Sequence, residues 1–275
     1  MEVRRTIWMF WHSGLEGAPR VVHLAKLSWE KLNPDYEVRF LDHQSLEHYV
    51  DLGALIPDWQ RLPIQKQANL LRLELLRIHG GVWADATLVC LQPLQSWLPR
   101  ILDSGFFAFR KRNSPKIISN FFLASSGDHV FISRWLASFQ GFMAPIPRRM
   151  HKKVFRAFVS FFPDPKSPWP YLLFTCKVMR NRFGFPYFIA HYLANRLILL
   201  SPKMREIWRK SPQLDYLGLP QLLGSTDPES ALISAISKGS PPVVKLSHHL
   251  DPRQNKSFSQ IISHLELYVS DYKQV

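Results

Sequence analysis

Three residues with chemically useful side chains stand close together in the segment 67–87. Asp85 and Thr87 are separated by one alanine, and Arg72 precedes them within a leucine-rich stretch. Mg²⁺ and Mn²⁺ prefer oxygen ligands, and they need few from the protein where substrate phosphates supply the others. A carboxylate and a hydroxyl that converge on one ion would meet that need. The segment can therefore hold a divalent cation against a phosphorylated ligand.

The elements around these residues are predicted to position them. The pattern indicates a helix that ends near His79, with Gly80 as its terminator. Asn69 and Arg72 lie three residues apart, on one side of this helix. A strand is predicted from Val82 to Cys90, and alternation places Asp85 and Thr87 on the same face. In a fully extended strand their Cα atoms would be about 6.6 Å apart.

An Asp-x-Thr triplet is uninformative by itself, because an aspartate at a strand end is often a turn or cap residue. Arg72 also has a simpler interpretation, since arginines on helices usually face solvent or form ion pairs. Its leucine neighbours argue against a purely solvated position. The combination of helix arginine, Gly-Gly, aromatic residue and Asp-x-Thr carries the prediction.

The first forty residues predict the fold class. A β-rich run covers 6–11, a helix with an apolar stripe follows Pro19, and an alternating strand follows Asn33-Pro34. Strand, helix and strand at this spacing form a βαβ unit, so we expect a parallel sheet and an α/β fold. Further strands are predicted at 106–109, 117–124 and 241–246, with a helix over 131–142.

Composition limits the possible classes of protein. The chain has 275 residues, 46% of them hydrophobic, which suffices for one sizeable core. We therefore expect one domain over residues 1–275. Cys90 and Cys176 lack disulfide or metal spacing, which favours a reducing compartment. No run approaches the roughly 18 apolar residues of a spanning helix.

The net charge of +14 indicates an anionic partner. Residues 144–186 contain nine basic residues, one acidic residue and many aromatics, together with seven prolines. This composition predicts an insertion or lid between a half at 1–143 and a C-terminal part at 187–275. The segment either lies on anionic lipid or forms a solvated basic face. No helix-turn-helix, zinc or RNP signature supports specific nucleic-acid binding.

The chain resembles the capsular-polysaccharide-synthesis type of glycosyltransferase, a relative of the Asp-x-Asp mannosyltransferases. The resemblance begins with Ile7-Trp-Met-Phe-Trp-His-Ser-Gly, continues through Asn33-Pro-Asp-Tyr and the 67–87 segment, and extends to Val243-Val-Lys-Leu. It implies a GT-A, Rossmann-like fold with a helical, basic-aromatic insertion. The implied activity is that of a metal-dependent hexosyltransferase.

The resemblance also assigns roles to individual residues. Asp85 would bind Mn²⁺ or Mg²⁺, with Thr87 at the second position of the motif and His249, or the adjacent His248, as a third ligand. Arg72 would contact the diphosphate or the sugar. The remaining residues expected at the donor are Trp8, Trp11, Gly14, Asn69 and Gly81. The metal would stabilise the diphosphate that leaves as the glycosidic bond breaks.

Two positions depart from the commoner family pattern. Many relatives have Ser-Asp where this chain has Ala68-Asn69, and an aspartate where it has Thr87. The first difference concerns the choice of sugar and the second the strength of the metal site. A non-catalytic protein on the same fold is therefore the alternative prediction.

The expected reaction moves a sugar from a UDP- or GDP-sugar to a surface glycan or lipid-linked acceptor, with retention of anomeric configuration, in capsule or other polysaccharide biosynthesis. The expected location is the cytoplasm, peripheral to the inner face of the cell membrane.

Overall fold

A computed structural model describes residues 3–110, 114–212, 214, 216–250 and 255–272. The chain begins with strand β1 (Thr6–Phe10), helix α1 (Arg20–Leu32) and strand β2 (Glu37–Leu41). β1 and β2 pair in parallel, with Thr6 opposite Glu37. Pro19 caps α1, and Trp29 on its apolar stripe is fully buried. The predicted βαβ unit is confirmed.

The next segment places the predicted chemistry at an edge of the sheet. Short helix α2 (Leu52–Leu55) and long helix α3 (Ile64–Ile78) lead to β3 (Gly81–Ala84) and β4 (Leu88–Cys90). Before α2 the chain forms a 3-10 turn at Leu46–His48.

The single strand predicted over 82–90 is wrong. Residues 85–87 form a turn, in which the Leu88 amide donates to the Asp85 carbonyl oxygen at 2.8 Å. The turn transfers the chain from the main sheet to a second sheet. Asp85 and Thr87 therefore belong to a tight connection between β3 and β4, and not to one extended face.

The rest of the chain completes both sheets. Helix α4 (Leu94–Trp97) is followed by β5 (Phe106–Arg110) and β6 (Ile118–Ser125). The main sheet has five strands in the order β2-β1-β3-β6-β5, in which β1, β2 and β3 are parallel and β6 is antiparallel to both of its neighbours, β3 and β5. The second sheet has the order β4-β8-β7, where β7 is Leu217–Gly218 and β8 is Val243–Lys245.

Helices cover both faces of the main sheet. The remaining helices are α5 (Val130–Met143), α6 (Lys152–Ser160), α7 (Lys177–Phe183), α8 (Ile189–Leu200), α9 (Pro202–Lys210), α10 (Leu219–Leu223), α11 (Pro228–Ser237) and α12 (Lys256–Asp271). One hydrophobic core contains Ile7 and Met9 with residues of α1 and α12. The other contains Trp8 and Phe10 with residues of α3, α5 and α8. Successive β1 residues thus alternate between the two cores. The predicted α/β, Rossmann-like fold is confirmed.

Residues 144–186 form a helical insertion with a small core of its own. Met150, Tyr171, Phe174 and Met179 are buried there against Tyr192 of α8. Most aromatics of the basic segment therefore pack against one another rather than face outward. The large apolar side chains exposed on it are Phe161, Trp169, Leu173 and Val178.

Within the described residues, no helix combines the length and apolar character needed to cross a membrane.

Candidate functional site

A cavity of ≈ 600 Å³ opens where β1 and β3 end. Trp11 and His12 follow β1, and Asp85 follows β3, so both strands deliver side chains to the same edge. β6 runs antiparallel to β3, which brings its first residues to this edge as well. Ligands commonly bind at the carboxyl ends of strands in open α/β sheets. The volume lies within the range of small-molecule sites.

Helix α3 supplies three polar side chains to the cavity. Lys66, Asn69 and Arg72 follow one another at intervals of three residues, and each is at most 5% exposed. That spacing keeps them along one side of the helix. The Asn69 carboxamide oxygen accepts a hydrogen bond from Asn120 Nδ2 at 2.8 Å. The predicted grouping of Asn69, Arg72 and Asp85 at one site is what the structure shows.

Arg72 is held by contacts on several sides. Its Nη1 lies 3.2 Å from Asp85 Oδ1 and also donates to the carbonyl oxygen of Asn120. The guanidinium lies over the Trp83 ring, 4.8 Å from its centroid. Burial lowers the pKa of Arg72, and Asp85 opposes that effect. The guanidinium group keeps its charge, because arginine is not deprotonated in proteins.

A second cation, Lys245 at the end of β8, reaches Asp85 from the other side. Its Nζ lies 3.1 Å from Asp85 Oδ2 and donates to Thr87 Oγ1 at 2.6 Å. The two oxygens that were predicted to converge on a metal ion converge on this ammonium group. Lys245 was not among the predicted site residues. Its signal was a lysine inside the otherwise apolar run Pro241–Leu246.

Asp85 remains ionised in this environment. Burial alone would raise the pKa of its carboxyl group, but the charges of Lys245 and Arg72 and the hydrogen bond from Trp83 Nε1 lower the pKa below its ordinary value. The Trp83 indole nitrogen donates to Asp85 Oδ1 at 2.9 Å. The carboxylate thus accepts from three different side chains.

Three further cavity residues were absent from the prediction. Lys66 is buried, and desolvation together with Arg149 and Arg72 lowers its pKa to about 7. Lys116 lies 3.6 Å from the centroid of the Phe188 ring. Burial, then Lys116, Lys66 and Arg72, lower the pKa of His191 well below its ordinary value. Among the described residues, His191 Nδ1 is buried without a hydrogen-bond partner.

The charges lining the cavity are unbalanced. Four basic side chains contribute to the described lining, against one carboxylate, Asp85. The basic residues are Lys66, Arg72, Lys116 and Lys245. Such a concentration of positive charge in a partly enclosed site favours an anionic ligand.

Three residues expected at the donor lie elsewhere. Trp8 is fully buried in the core beneath α3, where its Nε1 donates to the Gly80 carbonyl oxygen at 3.0 Å. Gly81 packs against β1, since a Cβ there would lie 2.6 Å from the Thr6 carbonyl oxygen. Gly14 shapes the turn after β1 with a φ of 79°. None of the three contributes to the described lining of the cavity, and their role at the donor stays a prediction.

Trp11 and the adjacent histidines His248 and His249 do line the cavity. The Trp11 and His248 rings make an edge contact with centroids 5.1 Å apart. The His249 ring is tilted against the His248 ring, with centroids 3.9 Å apart, and His249 is exposed. No described hydrogen bond or ion pair joins His249 to Asp85 or Thr87.

The described donor set does not fit the predicted metal site. Both oxygens of Asp85 face cations, and Thr87 Oγ1 accepts from Lys245. Within the described ranges, no three His, Cys, Asp or Glu side chains come together as a group that could hold a metal ion. An ammonium group between the intended ligands would also repel a divalent cation. Mn²⁺ or Mg²⁺, with His249 as a ligand, stays a prediction.

Comparison with known proteins identifies the family. The model of the family described as "Capsular polysaccharide synthesis protein" matches residues 1–159, which is more than half of the chain. The chain belongs to this family. The matched region includes Arg72, Asp85 and Thr87, whereas Lys245 and His249 lie beyond it.

Individual relatives are more distant than the family match. An O-glycosyltransferase of Annulohypoxylon truncatum, braB, is 27% identical over 156 residues, which cover 50% of this chain and 37% of that protein. A glycosyltransferase of Aspergillus fumigatus, afumC, is 28% identical over 150 residues, covering 48% of this chain and 38% of the other. The chain thus aligns with well under half of the length of these relatives.

A solved structure, the PaToxG glycosyltransferase, superposes on 96% of this chain and 86% of its own, with 12% identity and a TM-score of 0.42. This likeness is too distant to support an assignment of function.

Proposed function

We propose that this family member is a glycosyltransferase that moves a hexosyl group from a UDP- or GDP-sugar to a surface glycan or lipid-linked acceptor in polysaccharide biosynthesis. The observation that carries the proposal is the cavity at the ends of β1 and β3, with four basic side chains and one carboxylate in its described lining. A nucleoside diphosphate suits this lining, because this common class of metabolite combines negative charge with a base that can stack and a sugar. The names of the relatives agree with a glycosyltransferase activity.

The chain's own residues can perform each binding task. Arg72 and Lys66 lie on one side of α3 and can hold the diphosphate, because both are buried cations at the cavity. Trp11 can stack on the nucleoside base. Asn69 and the neutral His191 can form hydrogen bonds with hydroxyl groups of the sugar. Asp85 orients Arg72 through the 3.2 Å contact between their side chains.

Retention of anomeric configuration is part of the proposal. An inverting transferase needs a general base at the acceptor hydroxyl, and that base is commonly a carboxylate. In the described part of the cavity the carboxylate is Asp85, which is already paired with two cations. Attack from the side of the leaving group needs no separate carboxylate, because the diphosphate itself can receive the proton.

A panel of UDP- and GDP-sugars tests the proposal by thermal shift and by turnover. We expect one nucleotide series to raise the Tm of the wild-type protein and to be consumed. Arg72→Gln should abolish the shift and the turnover. Arg77→Gln is the matched control, since Arg77 lies on the same helix but pairs with Glu74 away from the cavity. A protein that binds none of these donors would contradict the proposal.

A non-catalytic protein on this fold is the second candidate. The observation that favours it is Lys245, which occupies the position between Asp85 and Thr87 where the family pattern predicts a metal. Turnover separates the candidates. A nucleotide that stabilises the protein without being consumed, whichever acceptor and metal are added, would favour a binding role.

Attachment to anionic lipid through the insertion is a further part of the proposal. Helix α6 exposes Lys152, Lys153 and Arg156, and the following loop exposes Phe161 at 82% and Trp169 at 55%. Basic residues next to exposed aromatics suit a membrane interface. This attachment would place the enzyme at the inner face of the cell membrane, on the cytoplasmic side.

Vesicle co-sedimentation tests this attachment. We expect binding to phosphatidylglycerol vesicles that weakens with salt, and little binding to phosphatidylcholine. The double variant Phe161→Ser and Trp169→Ser should reduce binding. Leu267→Ser is the control, because Leu267 is 61% exposed on α12, outside the insertion. Equal binding by the double variant and the wild type would argue against the assignment.

A further inference from the structure

Main-chain contacts fix the position of Lys245 beside the turn at 85–87. Strand β8 pairs with β4 so that Lys245 lies opposite Leu88, the first residue after the Asp85 turn. The next amide, that of Leu246, donates to the Thr87 carbonyl oxygen at 3.0 Å. Two main-chain connections therefore hold the end of β8 against the turn that carries Asp85 and Thr87.

The Lys245 ammonium group can donate a hydrogen bond to a ligand. An ammonium has three N–H donors, and the described contacts of Lys245 Nζ are to Asp85 Oδ2 and Thr87 Oγ1. Lys245 lines the cavity, with 26% of its side chain exposed. One donor is therefore free among these contacts, on an ammonium group that lies between the two side chains predicted to bind a metal.

We infer that Lys245, together with Arg72, supplies the positive charge that stabilises the leaving diphosphate, so that donor binding and transfer need no divalent cation. The inference rests on the proposed function and deepens it. It assigns Lys245 as a catalytic residue that contacts the β-phosphate.

Arg72 and Lys245 are suited to stabilise the leaving diphosphate, because both side chains are in position before the substrate binds. Charges that are already oriented cost no reorganisation when the leaving group gains charge. Asp85 fixes the two cations from opposite oxygens, at 3.2 Å for Arg72 and 3.1 Å for Lys245. Asp85 and Thr87 would thus position a lysine rather than bind a metal.

The transfer step balances without another reactant. The bond between the anomeric carbon and the β-phosphate oxygen breaks, and its electron pair passes to that oxygen. The acceptor hydroxyl oxygen forms the new glycosidic bond, and its proton leaves with the diphosphate. Lys245 and Arg72 donate hydrogen bonds to the departing oxygens and keep their own protons.

The experiment measures the affinity of UDP and GDP for the wild-type protein by calorimetry, in EDTA and separately in excess Mn²⁺. We expect one nucleotide to bind in EDTA, with an affinity that changes by less than about three-fold when Mn²⁺ is added. Electron paramagnetic resonance measures free Mn²⁺. Adding the protein should not reduce that signal beyond the reduction that nucleotide alone causes.

Variants of Lys245 test the residue itself. Lys245→Met should weaken nucleotide binding in EDTA by about 10- to 100-fold, the usual contribution of a charge-assisted hydrogen bond. Lys245→Arg keeps the charge and should recover part of that loss. Lys203→Met on α9 is the control, because Lys203 is exposed and does not line the cavity. Circular dichroism verifies that each variant is folded.

The outcomes separate this inference from the proposed function. Nucleotide binding that requires Mn²⁺, or that Lys245→Met leaves unchanged, would overturn the inference while the glycosyltransferase proposal stands. A wild-type protein that binds no nucleotide in either condition would overturn both. Binding in EDTA that depends on Lys245 supports the inference.

Discussion

Replacing Asp85 with asparagine removes the negative charge that two cations share. Arg72 is almost fully buried, with 6% of its side chain exposed, and lies 3.2 Å from the carboxylate. Breaking a buried ion pair by removing one partner costs about 3 to 5 kcal/mol, since the other charge is left unpaired. Asp85 is 24% exposed, so we expect the lower end, about 3 kcal/mol. For a chain of this size that corresponds to a Tm lower by roughly 6 to 12 °C.

The loss of stability caused by Asp85→Asn should become smaller as the pH falls. The pKa of Asp85 is lowered in the folded protein, so the carboxylate contributes stability above its unfolded pKa, about 4. That contribution is lost as the pH falls through the folded pKa. The difference between the wild type and Asp85→Asn should therefore be complete at pH 7 and should narrow below about pH 4.

Urea denaturation followed by tryptophan fluorescence measures both quantities. Asp58→Asn is the matched control, because Asp58 and Arg61 form an ion pair at 3.8 Å in which both side chains are largely exposed. Exposed pairs contribute about 0 to 1 kcal/mol. If Asp85→Asn is no less stable than Asp58→Asn at pH 7, Asp85 does not neutralise the buried arginine as the structure indicates.

Three further outcomes follow from the same geometry. Gly81→Ala should destabilise the protein by about 2 kcal/mol or more, because Gly81 has a φ of 95° and a Cβ would lie 2.6 Å from the Thr6 carbonyl oxygen. An unchanged midpoint of urea denaturation would contradict this prediction. Trp11→Ala should weaken nucleotide binding in calorimetry, whereas Trp8→Phe should reduce only stability, since Trp11 lines the cavity and Trp8 is buried. The affinity for a nucleotide-sugar should fall as the pH rises through about 7, because Lys66 loses its proton near that value and a bound diphosphate favours the charged form. Lys66→Met should flatten that part of the titration, and an identical profile would exclude Lys66 as its source.

The sequence predicted much of the frame, because local patterns set it. The strand at Thr6–Phe10, the helix after Pro19 and the helix that ends before Gly80 are confirmed nearly to the residue. Each has a strong local signal: a β-rich run, an apolar stripe or a glycine terminator. The α/β class followed from their order along the chain.

Side-chain orientation was predicted less well. Trp8 and Trp11 both stand near the start of the chain, but the strand alternation directs Trp8 into the core, and Trp11 lies beyond the strand end. The turn at 85–87 was also missed, because a short apolar sequence on both sides of an aspartate resembles one continuous strand. In that turn, pairing with residues far along the chain overrides the local pattern.

The sequence by itself determined that Asn69, Arg72 and Asp85 would meet, since one helix, one glycine pair and one strand deliver all three. Only the tertiary structure decided what faces Asp85 from the other side. Lys245 stands 160 residues later, and nothing local connects it to the motif. Pairing of β8 with β4 brings its ammonium group between Asp85 and Thr87. A long-range strand register, which no sequence window contains, thus put a lysine where the motif predicted a metal.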